Sequence, residues 1–178
     1  MLIDVTSFTK GPRHIENASD TPSNANHIAV TQCIEGYIEY YQPIFLKKAV
    51  GDEWADKFDA YSRVDHVQAT EEGGEDETPA EPTEEETTIA SLIDYLKEPF
   101  ANFVFFYMLR DMNRQATITG YVQLKCANNY MSTLDKGTAI WNDMVDKMND
   151  FVKEAYEQKV SDINVDEELL TVINQFNL

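Results

Sequence analysis

The sequence predicts a mainly α fold: a helical bundle around a central apolar helix, with a small extended or β arm and a disordered acidic insertion. Three observations carry this prediction. Apolar residues recur near a 3.6-residue spacing in several separate segments. One stretch, Phe100 to Leu109, is apolar on nearly every side, as suits a helix enclosed by other elements. Beyond it Ile118, Gly120, Val122 and Leu124 alternate with a period of two, the signature of an extended segment.

A chain of 178 residues most simply forms one domain, here taken as residues 1 to 178. Folding at this length buries roughly 70% of the unfolded surface. Residues 1 to 23 read as an extended lead, with Leu2, Val5 and Phe8 apolar and turns at Lys10-Gly11-Pro12 and Asp20-Thr21-Pro22. A short strand is expected near Leu2 to Phe8, pairing with the Ile118 to Leu124 segment.

The first helix is expected from Asn24 to Gln42, capped by Ser23 or Asn24, with Ile28, Cys33, Ile34, Tyr37, Ile38 and Tyr41 in helical period. Pro43 lacks an N–H and clashes with the preceding turn, so a kink or break is placed there. A second piece, Pro43 to Val50, stops at Gly51, and Asp52 then caps a third whose face carries Trp54, Phe58 and Tyr61.

Composition changes abruptly after that. From Glu71 to Glu86 there are nine acidic residues, no basic ones and no large apolar side chain. Such a stretch buries too little surface to offset its ordering entropy, so Val67 to Glu86 is read as a disordered acidic loop. Order is expected to resume at Thr87 or Thr88 in a short helix with Ile89, Leu92, Ile93 and Leu96. Pro99 ends or bends that helix, and the central apolar helix runs from there to about Arg114.

The last long helix is expected from Thr133 to about Lys159. Its apolar stripe comprises Leu134, Trp141, Met144, Val145, Met148, Phe151, Val152 and Tyr156. Residues 165 to 178 form a tail, with Asp166 capping a short helix through Leu169, Leu170, Val172 and Ile173. Such a tail either folds back on the core or docks on a neighbouring subunit.

The formal charge of −18, from 32 acidic against 14 basic residues, argues against gripping nucleic acid by its phosphates. The start of the chain shows no secretory signal pattern, and the longest apolar run is far short of the ~20 residues a membrane span needs. A soluble protein made in a cytoplasm is expected. Cys33 and Cys126 read as buried free thiols.

His14, His27 and His66 lie in different segments, none with a second ligand at helical spacing. The phosphate-cradling, dinucleotide, nucleophile-elbow and zinc-protease motifs are absent, and so is the calcium-loop pattern. No catalytic residue, cofactor or metal is expected, and the aromatics of Pro99 to Met108 read as core packing. The expectation is a non-enzyme.

Specific residues carry a resemblance. They are Phe8, Gly11, Pro12 and Arg13 in F-x-x-GPR, and the segment GYIEYYQPIFLKKAVGDEWADKF. EPFANFVFFYMLRDM leading into TGYVQLKCANN, and the closing AIWNDMVDKMNDF, complete the set. Together they resemble the head–tail connector, or adaptor, proteins of tailed bacteriophages and prophages. The resemblance implies a virion structural protein in a homo-oligomeric ring beneath the portal protein. A downstream neck or tail protein would sit on its other side, and DNA would pass through without specific binding. It places the protein in the virion neck, assembled in the host cytoplasm, with no membrane involved. The extended Ala116 to Met131 segment then suits an arm reaching another subunit by strand addition or loop docking, with Thr117, Thr119, Gly120, Tyr121, Gln123, Lys125, Asn128, Asn129 and Tyr130 as contact residues. A tail terminator or other neck ring, or an acidic interaction module outside virions, is the alternative.

Overall fold

In the computed structural model the helices run Ala25–Val50 (α1), Asp52–Arg63 (α2), Glu84–Met112 (α3) and Thr133–Glu157 (α4). Strands Arg114–Thr117 (β1) and Gly120–Gln123 (β2) lie between α3 and α4. The structure describes residues 1–64, 83–112, 114–117, 120–123, 133–160 and 162–174, with the backbone alone for 114–117, 120–123 and 133–134. The mainly α class is the predicted one.

The N-terminal lead is not an extended strand. Val5–Phe8 forms a 3-10 turn, started by Asp4, whose carboxylate accepts from the Thr6 N–H at 2.9 Å. Leu2, Ile3, Val5 and Phe8 are all buried, so the lead is part of the core. A side chain of α1 takes one of its main-chain donors: the Leu2 N–H donates to Gln42 Oε1 at 2.7 Å. The expected pairing with residues 118 to 124 is replaced by a local one, Arg114↔Gln123 through Thr117↔Gly120, antiparallel. Closing two residues costs far less entropy than joining segments a hundred residues apart.

Asn24 is the N-cap of α1, its side chain accepting from the His27 N–H at 2.9 Å. Pro43 neither ends nor divides this helix, which continues to Val50. A proline in a helix interior costs about 3 kcal/mol. Here Phe45, Leu46, Ala49 and Val50 beyond it are fully buried, and burying two large side chains alone returns roughly 3–6 kcal/mol. Gln42, just before it, is also fully buried and donates to Asp59 Oδ1 at 2.6 Å and to Ser62 Oγ at 3.0 Å. Gly51, at φ 82°, turns the chain into α2, and that positive φ is what calls for glycine. Asp52 is therefore the first helical residue and not the cap.

Pro99 is likewise inside a continuous helix. The start of α3 is also earlier than expected, because Thr83 and Glu86 form a reciprocal capping box. The Thr83 N–H donates to Glu86 Oε2 at 2.8 Å and the Glu86 N–H to Thr83 Oγ1 at 3.2 Å. Glu84, Glu85 and Glu86 thus leave the acidic insertion and complement the positive end of the helix dipole. Residues 67–82 of that insertion, read as a disordered loop, lie outside the described residues.

Every residue from Pro99 to Phe106 is buried. α3 packs on α1, α2 and α4, and Phe8 of the lead stacks on Phe105 with ring centroids 6.5 Å apart. α4 presents Trp141, Met144, Val145, Met148 and Phe151 to α3, as its stripe predicts. Tyr156 departs from the stripe and is 83% exposed, because in the last turn its neighbour Ala155, 4% exposed, takes the buried face. Cys33 is exposed and not buried, since α1 turns that side to water. Cys126 lies outside the described residues.

Candidate functional site

The hairpin β1–β2 is the whole sheet among the described residues. Of the expected contact residues, Thr117 pairs with Gly120, Tyr121 with Ala116 and Gln123 with Arg114. Thr119, Lys125, Asn128, Asn129 and Tyr130 lie outside the described residues. A two-stranded ribbon alone is marginal in water, and among the described residues each strand leaves one edge without a strand partner.

At the root of the hairpin, the last turns of α3 meet an aromatic ladder. Tyr41 stacks on Tyr107 at 4.7 Å and on Tyr37 at 6.0 Å, while Phe103 closes on Tyr107 at 4.8 Å. Tyr37 donates its hydroxyl to Asp111 Oδ2 at 3.0 Å. Burial first, and then that carboxylate, pushes the Tyr37 phenol well above its ordinary range, so it acts only as a donor. Neighbouring Tyr40 turns outward at 65% exposure, as adjacent helix positions require. Arg110 lies over Phe106 and Tyr107, 5.7 and 5.6 Å from their centroids.

Arg110, Phe106, Tyr107 and Trp141 form one wall of a cleft of about 490 Å³. The other wall is the tail, which the sequence left undecided between folding back and docking elsewhere. It folds back. Asp166 caps a 3-10 turn at Glu167–Leu170, accepting from the Glu168 N–H at 2.9 Å, and Leu169 is fully buried. Lys48 Nζ donates to Asp166 at 3.0 Å and Glu168 at 2.5 Å, and the Asp166 N–H donates to the Lys48 carbonyl at 2.7 Å. The backbone bond from Glu168, then Lys48, holds the Asp166 carboxyl below its usual range. The bonds that Lys48 donates to Glu168 and then to Asp166 raise its ammonium above the ordinary value.

Past the turn, α4 grips the tail by its main chain. Trp141 Nε1 donates to the Thr171 carbonyl at 2.9 Å. Asn142 both donates to the Ile173 carbonyl at 3.1 Å and accepts its N–H at 2.9 Å. The Asn142 amide therefore does what a neighbouring strand would do. Sequence reading missed this pair, because a polar residue beside a stripe residue looks like any solvated position.

The GPR element turns out to be a fastening. Arg13 pairs with Glu98 at 2.8 Å and donates to Asn102 Oδ1 at 2.7 Å. Asn102, 1% exposed, passes the link to α4 by donating to Asp143 Oδ2 at 2.6 Å. The Arg13 bond lowers the Glu98 carboxyl against the opposing effect of burial. No three His, Cys, Asp or Glu side chains converge to hold a metal among the described residues. No helix among them is long and apolar enough to cross a membrane.

Comparison with family models, with curated proteins and with solved structures finds no match for this chain.

Proposed function

We propose that this chain is a virion structural protein, a head–tail connector (adaptor) subunit that works in a homo-oligomeric ring below the portal protein of a tailed bacteriophage or prophage. In this reading α3 is the centre of a helical bundle and the β1–β2 hairpin is its contact arm. The observation that supports it most is the hairpin's placement. A two-stranded ribbon whose outer edges have no strand partner among the described residues is inserted between the two helices α3 and α4, and it overlaps the extended segment that the sequence marks as a contact arm. Strand addition from a neighbour would pair the edges that have no strand partner among the described residues.

The charge of −18 fits a conduit that lets DNA slide, because phosphates meet repulsion and no counterion-releasing cationic face. The downstream neck or tail protein would take the opposite side of the ring. Electron microscopy of purified particles that carry the gene tests the proposal. Ring density fitting this fold between portal and tail is expected, and particles whose neck lacks the protein would reject it.

A further inference from the structure

The C-terminal strap, residues 162–174, carries an inference about how copies join. α4 ends in a turn where the Val160 N–H donates to the Ala155 carbonyl at 3.1 Å and the Lys159 N–H to the Tyr156 carbonyl at 3.0 Å. This is the hydrogen-bond pattern of a Schellman end, which places one residue in the left-handed region. That residue is Lys159, at φ 58°. Glycine takes this conformation without strain, whereas a lysine there is held against its preference. The only other left-handed non-glycine described is Asn17, an asparagine, which tolerates the region well.

The strap beyond this strained hinge is seated almost wholly by features any copy would offer. Leu169 fills an apolar hole, Lys48 takes two carboxylates, and Trp141 and Asn142 hold main-chain atoms of Thr171 and Ile173. A strap from a second copy would make the same contacts. Seated in its own chain it keeps Lys159 strained; crossing over, it lets α4 run straight through residue 159. From Val160 to Asp166 the chain reaches at most about 20 Å, which suits a directly adjacent neighbour.

We propose that in the assembled protein the strap is exchanged, each copy's residues 166–173 seating on Lys48, Trp141 and Asn142 of a second copy. The inference rests on the oligomeric reading above and supplies a contact separate from the hairpin. Exchange preserves the strap's bonds to Lys48, Trp141 and Asn142 and removes the left-handed lysine, so oligomerisation needs no new surface.

Carbodiimide coupling of the native, full-length protein tests it, because Lys48 Nζ lies in contact with Asp166 and Glu168. On a denaturing gel, exchange predicts covalent dimers and longer chains whose digests contain Lys48 joined to Glu168 or Asp166. Lys48→Arg keeps the ion pair but removes the reactive amine, so those bands should vanish while the protein stays folded. Lys159→Gly should lower the equilibrium constant for exchange about fivefold, the ratio expected from relieving one left-handed residue. Linkage found only at monomer mass overturns the exchange and leaves the ring to be judged by imaging of necks. Linked dimers of a protein missing from the neck would overturn the ring and leave the exchange standing. An unchanged yield in Lys159→Gly would overturn the hinge's part in it.

Discussion

Replacing Asn102 by alanine should cost the fold about 2–3 kcal/mol. The residue is buried at the middle of α3 and joins the N-terminal lead to α4 through two bonds with charged partners, 2.7 Å from Arg13 and 2.6 Å to Asp143. Bonds to charged groups contribute about 1.5–3 kcal/mol each. The sum is an overestimate, because both partners keep other company. Arg13 retains Glu98 at 2.8 Å, and the Asp143 side chain, 52% exposed, retains water and Lys147 at 3.9 Å. Urea unfolding followed by circular dichroism would read the loss as a midpoint lower by about 1 M or more at unchanged slope. A double-mutant cycle with Arg13→Ala should then show coupling, since the two share one network. A loss below about 0.5 kcal/mol with no coupling would refute the argument that this network fastens the GPR element to the core.

The remaining expectations concern separate parts of the molecule. Lys159→Gly should stabilise the isolated, unexchanged subunit by about 1 kcal/mol in thermal unfolding, because glycine adopts a positive φ without strain. Leu169→Ala should loosen the strap, with about 2–4 kcal/mol lost and faster amide exchange at Ile173, whose N–H is held by Asn142. The lowered carboxyls of Asp59, Glu98 and Asp166 contribute stability that is present at neutral pH and lost as pH falls below about 4 through their folded values. At Asp59, burial alone would raise the value, and the bonds from Arg63 and Gln42 outweigh it. The raised Lys48 contributes in the other direction, with stability full below about 10.5 and lost as pH climbs through its folded value. A pH series of unfolding midpoints in wild type and Lys48→Met checks both limits. Exchanging residues 114–123 for a short Gly-Ser linker should leave the helical unfolding transition within a few degrees and remove the closed ring by light scattering, leaving the smaller species that the strap joins.

The helices were legible where periodicity was strong. α1, α2 and α4 follow their apolar spacing, and the Asn24 and Asp166 caps are written in residue type. The two prolines misled because the breaking rule is local, while the restoring force is the burial of Phe45 and Leu46, or of Phe100 and Phe103, supplied by distant helices. Thr83 to Glu86 is a capping box in plain view, obscured by the acidic run around it. Period two marked a strand at Gly120–Gln123, the described part of its run, but the partner lies just upstream at Arg114–Thr117, in a stretch read as the helix end and the start of the arm. The strap was only half legible. Its turn and cap could be read, but its seat on Lys48, Trp141 and Asn142 depends on which residues α1 and α4 bring together, and no spacing records that.

The connector assignment is tested most directly at the neck of the particle. Cryo-electron microscopy of tailed particles carrying this gene should resolve a closed ring of this fold beneath the portal, with neighbouring hairpins in contact and the acidic channel open. A neck built without this chain, or the chain found only free in the host cell, would contradict the account.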